Sequence, residues 1–330
     1  MEPVLDPAQA IIDAHHHLYD RPGVRYLMRE MLDDARAGHD IRATVFVQAR
    51  SMYRNSGPEP LRAVGETEFA AAVADTCARA VPRQALLCAA IVGHADLTLG
   101  DAVGAVLEAH IEAGAGRFKG IRMPLAWDRD ASLLNPAYPT HAATMEDDAF
   151  LRGFARLGEF GLSFDAWLFF HQIPQFISLA RRFPDTPMVL NHCGGVLGVG
   201  RYRDIPGEVR RQWQDAIRDL AACQNVMVKL GGLGLPLTGI GHATGARRPG
   251  SAELAAAWKP WIEPCIEAFG PSRSMFESNF PADKASYDYV AGWNAMKRIV
   301  RSASQADKDA LFWKTAARFY RIGNAVGNAC

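Results

Sequence analysis

Short runs of apolar and β-branched residues recur along the chain, each followed by a longer stretch in which apolar positions return every three or four residues. The short runs fit strands buried on both faces and the long ones fit amphipathic helices, so the alternation predicts βα units around a parallel sheet. Eight strands can be drawn, at 11–16, 43–49, 85–92, 118–123, 162–168, 188–192, 226–230 and 275–279. Helical patterns lie at 66–80, 99–113, 147–160, 173–183, 206–222, 252–269 and 287–302, and a last helix at 305–321 ends the pattern. Ser304 before Asp307 and Ser251 before Glu253 each offer a hydroxyl to free backbone donors, with an acid in the first turn. No Pro/Gly/Ser-rich linker divides the 330 residues. The chain therefore predicts one single (β/α)₈ TIM barrel over residues 1–330, open to distortion, with long βα loops and an extra C-terminal helix. The long loops, 48–61, 127–146, 194–205 and 231–250, all follow strands and so crowd the mouth where barrel enzymes place their chemistry.

Composition narrows the function classes. With 36 basic and 36 acidic residues the formal net charge is zero, and no block of like charge forms a nucleic-acid stripe or a polybasic membrane patch. No apolar run approaches a membrane span and no leader pattern opens the chain, so a cytoplasmic protein is expected. Six scattered cysteines lack the paired spacing of a zinc knuckle or disulfide framework and read as reduced core residues. Cys193 adjoins His192, yet a buried inert thiol is its expected identity.

The most informative stretch is Asp13-Ala14-His15-His16-His17-Leu18, directly after an apolar run. Side chains alternate along a strand, so His15 and His17 share a face and can chelate one divalent ion, while His16 points away. The other predicted strand ends are also polar: Gln48, Arg122, Asp165 with His171 beyond it, Asn191-His192, Lys229 and Asn279. Such groups are expensive to bury together unless they bind something. For three of them an ordinary structural role competes. Lys229 can pair with Asp165 or Glu277, His171 can cap the following helix, and Gln48 can satisfy loop backbone.

Taken in order, Ile12-Asp13-Ala14-His15-His16-His17, Phe46-Val47-Gln48-Ala49, Glu66-Thr67-Glu68, Lys119-Gly120-Ile121-Arg122, Gln172-Ile173-Pro174, Asn191-His192, Val228-Lys229-Leu230 and Phe276-Glu277-Ser278-Asn279-Phe280-Pro281 resemble amidohydrolase family 2. The likeness is to its fuconolactonase-like and pyrone-dicarboxylate lactonase-like group, and it covers almost the whole chain. It implies a distorted TIM barrel that opens lactones or related esters in sugar-acid or aromatic catabolism. It also implies a divalent metal, zinc or else manganese, on His15, His17 and His192, with Arg122 as a forked carboxylate binder. The group's eighth-strand aspartate, a ligand or a base, falls on Asn279, whose amide accepts no proton. Glu277, two residues earlier on the same face, is the favoured surrogate acid/base, and Asp283 is a third option. The catalytic set expected is thus His192, Glu277, Asn279 and Lys229. Arg122, Gln48, Tyr53, Trp127, Asp165, Trp167 and His171 are expected around substrate, with Phe170 as a further aromatic wall. The expected partner is a small anionic substrate, with no nucleic acid and no membrane, and the protein is expected to be a monomer or homodimer. The aromatic last helix, with Phe312, Trp313, Phe319 and Tyr320, packs either on its own barrel or across a dimer. Two competing activities are a decarboxylase or hydratase on the same barrel and a non-catalytic barrel that holds small acids.

Overall fold

A computed structural model describes residues 2–80, 85–240 and 247–323. Eight parallel strands follow one another around a barrel: β1 (Ala10–His16), β2 (Asp40–Val47), β3 (Leu86–Gly93), β4 (Phe118–Ile121), β5 (Ser163–Ala166), β6 (Met188–Leu190), β7 (Val226–Leu230) and β8 (Ser274–Phe276). Each pairs in parallel with its sequence neighbour. This is the (β/α)₈ arrangement that the alternation predicts. The distortion is at the seam. β1 and β8 share no ladder; the segment beyond β8 joins them, with His17 N–H donating to Phe280 O (2.8 Å) and Asn279 N–H to His15 O (2.9 Å). The Asp13 carboxylate pins this seam, accepting from Ser278 N (2.9 Å), Ser278 Oγ (2.6 Å) and Tyr289 Oη (3.0 Å). Its complete burial still raises its pKa to about 6, because desolvation of the charge outweighs these bonds.

Helices cover the outside: α1 (Met28–Ala35), α2 (Val64–Ala80), α3 (Val103–Ala113), α4 (Asp148–Glu159), α5 (Ile173–Arg182), α6 (Pro206–Ala221), α7 (Ser251–Phe269) and α8 (Tyr289–Ile299). Helix α4 shows the logic: Asp147 Oδ1 caps the Phe150 amide (2.9 Å), and Phe150, Leu151, Phe154 and Leu157 recur on the buried face. The Ser304 cap is observed on Asp307 N (3.1 Å). Ser251 does not cap; Glu253 reaches back to the Gly250 amide (2.9 Å) and the Ser251 hydroxyl bonds Glu2 instead. Sequence periodicity missed α1 and the small hairpin Tyr19–Arg21/Val24–Tyr26 that precedes it, both shorter than the windows that reveal a period. Five cysteines are free and buried; Cys330 and part of the 231–250 loop lie outside the described residues. Among the described residues no helix is long and apolar enough to cross a membrane.

The barrel interior is lined by small side chains, among them Ala14, Ala43, Val45, Ala90 and Val92, and it is filled from below by the chain's end. The last helical segment runs from Gln305 through a π turn at Ala310–Lys314 to Thr315–Phe319. It sets Phe319, Tyr320 and Ile322 into this space, so the helix packs on its own barrel. TIM barrels usually fill their centre from their own strands. Here small strand residues leave room for a plug.

Candidate active site

β1 carries His15 and His17 on one face, with ring centroids 4.8 Å apart, while His16 turns away and meets Thr44 Oγ1 at 2.8 Å. His17 Nδ1 donates to Val47 O (2.7 Å), which leaves its Nε2 lone pair toward the open mouth. After β6 the backbone turns through left-handed conformations at His192 (φ 56°) and Cys193 (φ 50°), ending the strand short of its predicted limit. That turn brings the His192 ring to 4.6 Å from His15. Two glycines at the end of β7 make the seat: a Cβ at Gly232 would overlap the His192 ring, and one at Gly231 would overlap Glu277.

Glu277, fully buried, lies under both rings. Its Oε1 accepts from His192 N (3.1 Å) and His192 Nδ1 (2.7 Å), and its Oε2 stands 3.0 Å from His15 Nδ1 without a hydrogen-bonded partner. At His192 the carboxylate holds the inner nitrogen, which fixes the tautomer and leaves Nε2 as the free ligand atom, the arrangement seen around ligating histidines. Ligand atoms of His15, His192 and Glu277 all lie within 4.8 Å of one another. Burial pushes the pKa of His15 and His17 well below the ordinary histidine value, aided at His15 by Lys229 and at His17 by Arg122. Both are therefore neutral near pH 7, the form that binds metal. An orphaned buried carboxylate oxygen beside neutral imidazoles fits a divalent cation in this cluster.

Above the cluster opens a cavity of about 230 Å³. His17, His192, Arg122 and Asn279 reach its wall from the strand ends, Trp167 and Phe169 from the fifth loop, and Tyr19 with Arg21 from the hairpin. Among the described residues no carboxylate lines it. Arg122 places Nη1 3.2 Å from His15 Nε2, donates through Nη2 to Gln48 O, and leaves Nε unpaired. Asn279 (φ 54°) donates from Nδ2 to Asp283 Oδ1 (2.8 Å). Asp283 also accepts from Gly234 N (2.9 Å) and Tyr287 Oη (3.0 Å), and burial raises it to about 7. Asp283 is an anchor for Asn279 and does not border the cavity.

Several expected site residues lie elsewhere. Lys229 and Asp165 form a fully buried ion pair (2.7 Å) beneath the histidines, so neither meets substrate directly. His171 bonds Asp128 (3.0 Å) and lines a separate hollow with Tyr202 and Arg201. Trp127 borders neither hollow; its backbone amide donates to Gln172 Oε1 (2.9 Å). Tyr53 lines a neighbouring cavity with Arg50 and His94, which shares Pro124, Tyr138 and Thr140 with the central one. Phe170 is buried and borders the His171 hollow, packed against His171 and Tyr202, while Phe169 lines the central cavity. Gln48 is buried beside the cluster with both side-chain polar atoms unpaired. Tyr19, Arg21 and Tyr138 carry no signal in the sequence, since a three-residue strand is too short and a long loop too irregular to show a period.

The chain belongs to the Amidohydrolase family, which it matches over residues 12–322. It is 32% identical over 335 residues to the uncharacterized protein y4mH of Sinorhizobium fredii, covering 95% of this chain and 99% of that protein. To the L-fucono-1,5-lactonase of Burkholderia multivorans it is 29% identical, covering 94% of this chain and 96% of the lactonase. Among solved structures it superimposes on a zinc-bound amidohydrolase of Burkholderia multivorans with a TM-score of 0.71 at 25% identity, covering 94% and 99% of the two chains.

Proposed function

We propose that this protein hydrolyses a lactone, or a related ester, of a small anionic acid at the cavity above His15, His17 and His192. The observation that carries the proposal is the character of that cavity: two imidazoles and two guanidinium groups on its wall, no carboxylate among the described residues, and a metal-competent cluster at its base. Likeness to a curated lactonase over nearly the whole chain supports the same reaction.

His15, His192 and Glu277 would hold a divalent metal, zinc first and manganese second, with His17 alongside. Such an ion, when bound, polarises an ester carbonyl and makes water more acidic. The protein's own groups supply the rest. Arg122, anchored by the Gln48 carbonyl, offers its remaining donors to a substrate carboxylate, and a buried guanidinium does this with a planar fork that lysine lacks. Trp167, edge-on to His192 at 4.9 Å, and Tyr19 close the sides around a ring-shaped substrate and shield it from water. Neutral His17 keeps its Nε2 lone pair free for the cation or a substrate hydroxyl, because its Nδ1 proton is committed to Val47 O. Asn279 serves as a hydrogen-bond group, oriented by Asp283. Glu277 orients both histidines instead of acting as the free base expected from its position in the sequence.

Purified protein, stripped and reloaded with zinc or manganese, should be assayed on a panel of sugar-acid and unsaturated lactones. Ring opening releases a carboxylic acid, one proton per turnover and no carbon dioxide. Carbon dioxide release with proton uptake would instead assign a decarboxylase. Ligand-dependent thermal stabilisation without turnover would assign a binding protein. The working species is proposed to be a monomer or homodimer acting on a free small molecule.

A further inference from the structure

The plug in the barrel floor touches the site through one chain of polar groups. Tyr320 Oη donates to both oxygens of Asp165 (3.1 and 2.9 Å). Asp165 Oδ2 takes Lys229 Nζ at 2.7 Å and the Asn191 amide at 3.3 Å. Lys229 Nζ also stands 3.4 Å from His15 Nδ1, the same nitrogen that lies 3.0 Å from Glu277 Oε2. Lys229, Asp165, His15 and Glu277 are all fully buried.

An ammonium in that position has donors only, and two buried carboxylates within its neighbourhood compete for it. One is Asp165, below; the other is Glu277, whose Oε2 has no hydrogen-bonded partner. Among the described residues, Tyr320 is the one donor to Asp165 that comes from outside the barrel strands and their immediate ends. Its ring also lies under the ammonium, with Nζ 5.1 Å from the centroid.

We infer that Tyr320 is a positioning residue: its hydroxyl fixes the Asp165 carboxylate so that Lys229 stays paired below, leaving Glu277 to orient His15 and His192 and to face a cation. The inference rests on the metal-centre reading proposed above. Without the hydroxyl, Asp165 holds Lys229 less firmly, and the ammonium shifts toward Glu277 and competes with a bound ion for its charge.

Tyr320→Phe is the test, since it keeps the ring that fills the floor and removes only the donor. Zinc affinity should be measured by chelator competition, alongside the melting temperature, kcat and KM, and a crystal structure of the variant. Zinc binding is expected to weaken about 10-fold, the scale of lost support around a ligating histidine. The melting temperature should fall by less than about 5 °C, as for one hydrogen bond in a chain of this size. Turnover should drop at limiting zinc and recover at saturating zinc, with KM unchanged. Lys314→Ala, an exposed change on the same helix, should alter none of these. Unchanged zinc affinity in Tyr320→Phe, with or without a lower melting temperature, overturns the inference. Wild-type protein that takes up neither zinc nor manganese overturns the metal centre itself. In that case the crystal structure decides the rest: Lys229 displaced from Asp165 toward Glu277 sustains the positioning role, and an unmoved Lys229 ends it.

Discussion

The floor and the mouth of the barrel both bury polar side chains, but they treat them differently. On the floor Lys229, Asp165 and Tyr320 satisfy one another. At the mouth Gln48 Oε1 and Nε2, Arg122 Nε, Asn191 Oδ1 and Glu277 Oε2 are buried without partners. Folded proteins leave few such atoms, and each costs about 1–3 kcal/mol of desolvation unless something meets it. The histidines divide along the same line. His110 spends Nδ1 on Thr67 (2.8 Å) and Nε2 on the His94 carbonyl (2.9 Å), whereas His17 and His192 each spend Nδ1 and keep Nε2 at the cavity. Polar burial on the floor is satisfied within the fold, whereas polar burial at the mouth leaves donors and acceptors open, as the proposed substrate and cation would require.

The largest effect should come from breaking the floor. Lys229→Met leaves Asp165 buried without its cation and should cost about 3–5 kcal/mol of stability in urea unfolding. A loss under about 1 kcal/mol would show that the pair does not hold the floor.

Next come the fully paired histidines. Burial depresses His39 and His110 to about 4, with Lys297 adding to the effect at His39. The unfolded chain titrates these groups near 6.5, so it binds more protons than the native state between the two values. Stability is complete above about 6.5 and falls as pH drops toward 4, by roughly 1.4 kcal/mol per unit for each histidine. His110→Gln should flatten the decline of melting temperature between pH 6.5 and 4; an unaltered slope would mean that His110 protonates as readily in the native protein as in the unfolded chain.

At the mouth, changes should reach function while sparing stability. Glu277→Gln should weaken zinc binding by about 10–100-fold while costing less stability than Lys229→Met. Equal damage to both properties would erase the distinction between the two regions. Arg122→Lys should lower kcat/KM for a carboxylate-bearing substrate by about 1–3 kcal/mol, the value of a charged, forked hydrogen bond. An unchanged rate would remove Arg122 from the site. The smallest effect belongs to His171→Ala, which lies at a separate hollow and should leave turnover within about twofold.

The barrel and the β1 histidine pair were legible in the sequence because each rests on a short, regular spacing. Strand ends were less so. Strands predicted to reach His192 and Asn279 stop at Leu190 and Phe276, since left-handed backbone at His192 and Asn279 breaks the extended run before the functional side chain is delivered. A period-two pattern cannot show such a turn. The sequence singles out Glu277 by its spacing, a carboxylate two residues before Asn279, but its approach to two imidazoles depends on the space left by Gly231 and Gly232 at the end of another strand, which no local pattern encodes. Trp127 and His171 followed strands as expected, yet long loops carry a residue to either side of the mouth with equal ease. The floor was the least legible part. Tyr320 reads as one more aromatic on an amphipathic helix, and only the small residues facing the barrel axis reveal the space it fills.

Cationic walls also bear on how a turnover would end. Opening an ester ring inside the cavity turns a neutral linkage into a fresh negative charge, a short distance from Arg21 and Arg122. On the proposed reaction, the ring-opened acid would be gripped more tightly than the compound that entered, and departure of product would become the slow event at low ionic strength. Added salt would speed such an enzyme by loosening its hold on what it has made.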